Sequence, residues 1–512
     1  MASLGIAHRA GRVAFVTGLS TALSIVLQLI SVPICLKYWG KETYGMWLAL
    51  FAAFMLFRTL DSGFVSYVGN KINLLYHQDQ GELRQTLASS IAGTASIGFL
   101  QLFIAAMALG TGGVAWLLGV APTVAVHHQA GAALFVLIGG WVLSGSYLGI
   151  VHRLLIPTGM MYQAAWWSIA YQTCQFVGIM GAALMNLTLF QASIMFALIQ
   201  SSIYFASAAY IRHKLPEYYP WWNCFRPAVG IGDLWKSMFL TLSSMLQQGT
   251  FNGIVMLVSI LSGAAAVPTF TTVRTLTNLW TNATNVLTTP LLPDVVRYRA
   301  KREGNKLVTI SEAHWVLIGT FINLSILITY PLIGPLYGYW TTHAVPLNKS
   351  LLCLLLSSIA LANAGALISM YLNGINSLRA VFLTSLVRGL TSLAGGGVLL
   401  AYFGFAGLGF AILVSEVLAL VIMGYFFVRI ELAQLGARLP ILSLSPISMS
   451  TSFVLMFLIA EGFGSPLAPV LYPAAIFGVL FGALWGWRRL ESDVKHNLLL
   501  MARQWIGRKG TV

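Results

Sequence analysis

The stretch YGMWLALFAAFMLFRTLDSGFVSYVGN, Tyr44–Asn70, decides the fold. It is apolar over more than the roughly 20 residues that a helix needs to cross a bilayer. It nevertheless carries Arg58 and Asp61 well inside. A charge at the centre of a membrane helix costs about 2.5–3.5 kcal/mol even on a lenient insertion scale. Chains keep that cost where the charge meets a partner or a wet cavity. The i, i+3 spacing puts Arg58 and Asp61 on one helical face. Two readings stay open. Either the two charges neutralise each other and brace the helix, or Arg58 faces a phosphate. A guanidinium suits a phosphate because it stays charged when desolvated and donates in a bidentate fork. Asp61 is then its partner, a gate or a ligand for a coupling cation.

The rest of the chain agrees with a membrane setting. Of its 512 residues, 58% are hydrophobic and only 8% charged, and the mean hydropathy is +0.80. Soluble domains carry about 25% charged residues. The fold class expected is all-α, a polytopic membrane protein. A β-barrel is excluded because the apolar runs are continuous rather than alternating. The net charge of +15 does not point to nucleic acid here, since basic residues accumulate in cytoplasmic loops of membrane proteins. The cysteines Cys35, Cys174, Cys224 and Cys353 are scattered; they support neither a disulfide framework nor a zinc site. His127 and His128 are adjacent and do not make a metal site by themselves. The basic N-terminus runs into an apolar segment without a small-x-small cleavage site, so it reads as a retained first helix.

Fourteen transmembrane helices are expected, at 13–35, 45–68, 86–109, 131–150, 163–184, 189–210, 237–261, 267–291, 308–331, 350–373, 380–402, 406–428, 444–461 and 468–487. Residues 110–120 either extend the third helix or form a re-entrant end. With a cytoplasmic N-terminus, the inside segments hold 23 of the 29 Lys and Arg. The outside segments hold only Lys37, Lys41 and Lys349, while Arg58, Arg274 and Arg388 lie inside helices. That asymmetry places both termini in the cytoplasm. A Pro- and aromatic-rich connection, 212–236, separates two sets of six helices. The expected organisation is an N-lobe (1–211), this cytoplasmic connection, a C-lobe (237–430), a C-terminal helix pair (431–488) and a basic amphipathic tail (489–512). FRTL at 57–60 and VRTL at 273–276 put an arginine in the second helix of each set.

The eighth helix carries Arg274, Asn278, Asn282 and Asn285. Steps of four, four and three make one polar stripe, which either lines a cavity or bonds to neighbouring helices. Gln247, Gln248 and Asn252 on the seventh helix, and Tyr171, Gln172 and Gln175 on the fifth, add amides and an aromatic ring. Arg388 and Glu416 fall near mid-helix in neighbouring spans, as an ion pair or as coupling residues. Glu312 and His314 read as interfacial residues at a helix start. The sequons at Asn186 and Asn282 read as chance. There is no P-loop, no Ser/His/Asp or Cys/His constellation and no paired carboxylate. A membrane-embedded glycosyltransferase would need a large loop with paired acids, which is absent. Transport is the function class left, with no enzyme activity and no cofactor expected.

Residues 11–72 resemble the N-terminal region of the polysaccharide flippases in the multidrug/oligosaccharidyl-lipid/polysaccharide exporter superfamily. The likeness lies in VLQLISVPICLKYWGKETYGMWLALFAAFMLFRTLDSGFVSYVGNKI. Pro33 closes the first helix, Gly40 precedes the Tyr44-Gly45 pair, Trp47 opens the next helix, and Asp61-Ser-Gly63 lies towards its cytoplasmic end. The pattern resembles O-antigen and exopolysaccharide (Wzx-type) flippases. The resemblance implies two six-helix lobes around a central cavity, with helices thirteen and fourteen beside one lobe. It implies movement of an undecaprenyl-pyrophosphate-linked oligosaccharide from the cytoplasmic to the periplasmic leaflet of the bacterial inner membrane by alternating access. Its implied partners are that lipid-linked oligosaccharide, membrane lipid, a coupling proton or sodium ion, and polysaccharide polymerase and export proteins. Related lipid II flippases have cavity arginines on the second and eighth helices, which Arg58 and Arg274 match. They also have one on the first helix, whereas this chain has none between Arg12 and Lys37. The alternative is a cation-coupled exporter of small amphipathic molecules, which predicts an acidic cavity.

Overall fold

The computed structural model describes residues 2–76, 78–118, 124–375, 377–437, 441–490 and 495. The side chains of His127 and His128, and the expected amphipathic tail apart from Arg489, Leu490 and Lys495, lie outside the described residues. Helices α1 and α2 form one run, Ala2–Leu75, broken at Gly40. Its φ of 72° is a conformation that glycine adopts without steric cost. Then come α3 (Gln80–Gly110), α4 (124–155), α5 (Met161–Leu184), α6 (Leu189–Lys214), α7 (Pro227–Ser262) and α8 (Val267–Thr288). They are followed by α9 (Gly304–Trp340) and α10 (Lys349–Gly374). A second break at Gly404, φ 60°, separates α11 (378–403) from α12 (405–432). Last are α13 (Ile441–Gly462) and α14 (Ala468–Arg489). Each expected span falls in one of these helices except that the eighth, 267–291, runs three residues past Thr288 into a 3-10 turn, and no β-strand occurs among the described residues. Large apolar side chains such as Phe99, Phe103, Val421 and Phe477 are exposed, as in a multi-pass membrane protein whose solvent is lipid.

Local chemistry explains several boundaries. Asp79 caps α3 by accepting from the backbone N–H groups of Gly81 and Glu82 at 2.8 and 2.9 Å, satisfying donors that the first turn leaves free. Thr188 and Gln191 form a reciprocal capping box at the start of α6. The third helix ends at Gly110, and residues 113–118 form a separate short helix after Gly112, φ 77°. Pro227 opens α7 ten residues before the expected helix start at 237, because proline fits the first helical turn, where its missing N–H has no partner to lose. Among the described residues five of the helices contain a π turn, at Trp141–Gly145, Gly249–Gly253, Trp315–Gly319, Thr391–Gly395 and Tyr425–Leu432.

Packing divides the chain into two compact units. The first is Met1–Thr275 with Gly338–Pro346, and the second is Leu276–Tyr337 with Leu347–Val512. The first unit takes in α7, which the six-plus-six expectation assigns to the second lobe. Three contacts hold α7 there. A Cβ on Gly63 would lie 2.3 Å from the backbone of Thr241, so only glycine lets α2 and α7 approach this closely. Lys71 Nζ donates to both oxygens of buried Asp233, at 3.1 and 3.0 Å. Ser89 Oγ donates to the carbonyl of Arg226 and accepts from its N–H. Beside these contacts, Phe64, Val68 and Ile72 of α2 pack with Leu83 and Leu87 of α3 and with Leu148 and Val151 of α4. In the second unit, α10 is largely enclosed, with every residue from Leu351 to Ala360 buried. Leu367, Ile368 and Tyr371 pack there with Leu307, Trp315 and Phe427.

Candidate functional site

A cavity of about 690 Å³ lies within the first unit, walled by α2, α4, α5, α6 and one residue of α7. Arg58 and Asp61 both line it. They are not joined to each other, because no ion pair within 4.0 Å links them among the described residues. An indole stands between them. Trp141 Nε1–H donates to Asp61 Oδ2 at 2.8 Å, and the Arg58 guanidinium lies over the same ring, 4.0 Å from its centroid. Arg58 Nη1 also donates to the Tyr171 hydroxyl at 3.0 Å. Tyr204 completes the cage, its ring 5.2 Å from that of Tyr171 and 5.8 Å from that of Trp141. A cation over an aromatic face gains roughly 0.5–2 kcal/mol, more when desolvated. The face of the indole thus serves the cation while its edge serves the carboxylate, so both intramembrane charges are satisfied without contact.

Trp141 reaches this pose through the π turn that it opens. A Cβ on Gly145 would fall 2.1 Å from the indole, so the ring lies over a bare backbone. The widened turn shifts the face presented by the residues that follow. Gln172, Gln175 and Gln248 line the same end of the cavity. Gln172 accepts from Ser20 at 3.3 Å, and Gln248 accepts from Asn252 at 2.9 Å. Gln175 Nε2 is buried without a protein partner. At the other end stand Ser66, Gly149, His152, Arg153 and Met161.

The other expected site residues go elsewhere. Gln247 is exposed and does not line this cavity. Nor does Arg274, which donates to the carbonyl of Phe251 in the π turn of α7 and lies 5.0 Å from the Phe251 ring centroid. Asn278, Asn282 and Asn285 follow it on α8, in the second unit. Asn278 and Asn282 are half-buried and Asn285 is exposed. No other described residue hydrogen-bonds to these three amides.

The sequence matches no protein-family model and no curated protein. Solved structures do match. The chain is 14% identical to the lipid II flippase MurJ in an inward closed conformation, covering 92% of this chain and 99% of that one at a TM-score of 0.68. It is 15% identical to a multidrug resistance MATE family transporter of the MOP superfamily in an inward-facing conformation, covering 83% and 99% at 0.66. A MOP superfamily transporter from Pyrococcus furiosus is 15% identical over 83% and 96%, at 0.59. The chain shares the fold of these transporters.

Within that fold, Arg388 and Glu416 of the second unit form a direct ion pair, Nη2 to Oε2 at 2.8 Å. His314 departs from the expected interfacial setting. It lies eleven residues into α9, buried, with Nε2 3.1 Å from Thr288 Oγ1. The cavity residues that sequence reasoning passed over are Trp141, Tyr204, His152 and Arg153. Trp141 and Tyr204 look like packing residues in an apolar helix. Arg153 counts only as a marker of topology. For Trp141 the usable signal is the glycine four residues on, which leaves a ring room to fold over the helix.

Proposed function

We propose that the chain is a transporter that moves an undecaprenyl-pyrophosphate-linked oligosaccharide from the cytoplasmic to the periplasmic leaflet of the bacterial inner membrane by alternating access. The observation that carries this reading is the cavity of the first unit. It combines two guanidinium groups, Arg58 and Arg153, with tyrosine hydroxyls, glutamine amides and an indole. Hydroxyl-rich sugars are recognised by amides and aromatic faces, and phosphates by guanidinium groups. The fold shared with a lipid II flippase over nearly the whole of both chains supports the same direction. The positive-inside distribution of Lys and Arg puts both termini and the Arg153 end of the cavity in the cytoplasm. Arg274, Asn278, Asn282, Asn285 and Gln247 are proposed as substrate contacts outside this cavity. Arg388 and Glu416 are proposed as a bracing pair of the second unit.

The cation-coupled exporter of small amphipathic molecules is the competing reading, and it calls for an acidic cavity. Among the described lining residues Asp61 is the single acid, against Arg58 and Arg153. Leaflet exchange of a fluorescent undecaprenyl-pyrophosphate oligosaccharide, measured with purified protein in liposomes, tests the proposal. Exchange above protein-free liposomes is expected, falling tenfold or more in Arg58→Ala and in Arg274→Ala. Absence of exchange by the wild type overturns the flippase reading. Unchanged exchange in both variants, at normal yield and monodispersity, removes the two arginines from it.

A further inference from the structure

Arg58 and Arg153 differ in what they already hold. Arg58 is already engaged: its Nη1 donates to Tyr171 and lies 3.8 Å from the Met55 sulfur, Trp141 lies beneath it and the Asp61 carboxylate stands behind the same indole. Arg153 lines the same cavity and has no hydrogen bond or ion pair from its side chain to any described residue. No acidic residue lines its end of the cavity. Asp61 lies on the Arg58 side of the wall, so that side carries one cation and one anion. The Arg153 side carries an uncompensated guanidinium with the His152 imidazole next to it.

The two cations are also far apart. Arg153 lies against α2 at Gly69, where an added Cβ would sit 2.9 Å from its Cδ. Gly69 is eleven residues from Arg58, about 16 Å along the helix at 1.5 Å per residue. Two bridged phosphates span only a fraction of that, so one diphosphate does not reach both. The lining residues next to Arg153, Ser66 and Met161, are exposed, whereas Asp61 and Trp141 are buried. Arg153 therefore stands beside an exposed rim of the cavity, whereas Asp61 and Trp141, which flank Arg58, are buried.

From this contrast we infer that Arg153, with His152 beside it, is the diphosphate-binding site of the cavity, and that the Arg58 cage receives the uncharged polar part of the same substrate. The inference rests on the transporter reading above and reverses the assignment that the sequence suggests for Arg58. The physics favours it on two counts. A bare guanidinium has all its donors open to a phosphate, whereas Arg58 already commits one nitrogen to Tyr171 and its face to Trp141. A lipid diphosphate also rests at headgroup level, where a mouth residue meets it while the prenyl chain stays in the bilayer. The saccharide then enters the aromatic and amide-lined end.

Binding of geranylgeranyl diphosphate to the purified full chain in detergent, followed by tryptophan fluorescence, tests the site without requiring transport. Wild type is expected to bind. Arg153→Gln is expected to weaken binding tenfold or more, with Arg153→Lys recovering part of it. Arg58→Gln is expected to change it less than threefold. Inorganic pyrophosphate run in parallel separates the headgroup from the lipid: equal dependence on Arg153 assigns the site to the diphosphate itself, and loss of that dependence overturns the inference. It is overturned too if Arg58→Gln abolishes binding while Arg153→Gln, monodisperse by size exclusion, does not, or if the wild type binds neither probe. Arg153-dependent binding in a protein that exchanges no lipid-linked oligosaccharide would keep this site and remove the transporter reading. Exchange that is insensitive to Arg153→Gln, together with unchanged binding, would do the reverse.

Discussion

Two pairs of opposite charges lie inside membrane helices of this protein, and they are handled in opposite ways. Arg388 and Glu416 come from neighbouring helices of the second unit and touch, at 2.8 Å. Arg58 and Asp61 come from one helix, three residues apart, and do not pair; Trp141 is shared between them instead. A direct bond cancels two charges and leaves little for a ligand. A shared indole satisfies both charges yet keeps the cation on a cavity wall. The first arrangement suits a brace and the second a site.

The largest expected effect lies with the direct pair. Glu416→Gln leaves the Arg388 guanidinium, 28% exposed, without its counter-charge. Breaking one side of a buried ion pair costs roughly 3–5 kcal/mol, and this partial exposure points to the lower end of that range. Replacing both residues with apolar ones of similar volume, Arg388→Met with Glu416→Leu, is expected to restore most of the loss, because such replacements are often neutral. Denaturation of the detergent-solubilised protein reads both. A double variant as unstable as Glu416→Gln, or one that abolishes exchange while folding normally, would show that the pair is more than a brace.

A smaller effect is expected where the indole is cut back. Trp141→Phe keeps a ring for Arg58 but removes the N–H that Asp61 accepts. Leaving a buried acceptor unsatisfied costs about 1–3 kcal/mol, and the carboxylate is 1% exposed. The loss should largely vanish in an Asp61→Asn background, which a double-variant cycle measures. Independent, additive effects would mean that the Trp141–Asp61 bond is not what holds either residue.

Legibility of the fold and of the site diverged for a physical reason. The fourteen spans follow from apolar runs of bilayer length, and their ends from Gly40, Gly404, Pro227 and the Asp79 cap, each of which acts locally. The charges at Arg58, Asp61, Arg388 and Glu416 stand out because the runs around them are apolar. What joins to what does not stand out. Spacing on an ideal helix pairs Arg58 with Asp61, but a residue 80 positions away supplies the carboxylate's partner. Trp141 arrives there through a π turn, and such a turn moves every later residue off the face that a regular period assigns. The motif glycines were visible without their reason. Gly63 admits α7 against α2, and Gly45 faces the carbonyl of Ala264, which an added Cβ would meet at 2.0 Å. Arg153 was hidden by its own usefulness as an orientation signal.

The finest test of the contrast is Tyr171→Phe. It removes the hydroxyl that accepts from Arg58 and keeps the ring, so the cation over Trp141 stays while one bond is lost. A hydrogen bond to a charged group contributes about 1.5–3 kcal/mol when buried, and the half-buried guanidinium brings the expectation to about 1 kcal/mol. If the Tyr171 hydroxyl fixes Arg58 more than Asp61 does, Tyr171→Phe should loosen the guanidinium over Trp141 and lower oligosaccharide exchange more than Asp61→Asn does. Asp61→Asn leaves Arg58 its acceptor and its ring, and changes only the charge behind the indole. The opposite ranking, with Asp61→Asn the more damaging to exchange and Tyr171→Phe near wild type, would mean that the two charges act as a coupled pair through Trp141. The distance between Arg58 and Asp61 would then be spanned electrostatically rather than by contact, and the distinction between brace and site would narrow to one of geometry.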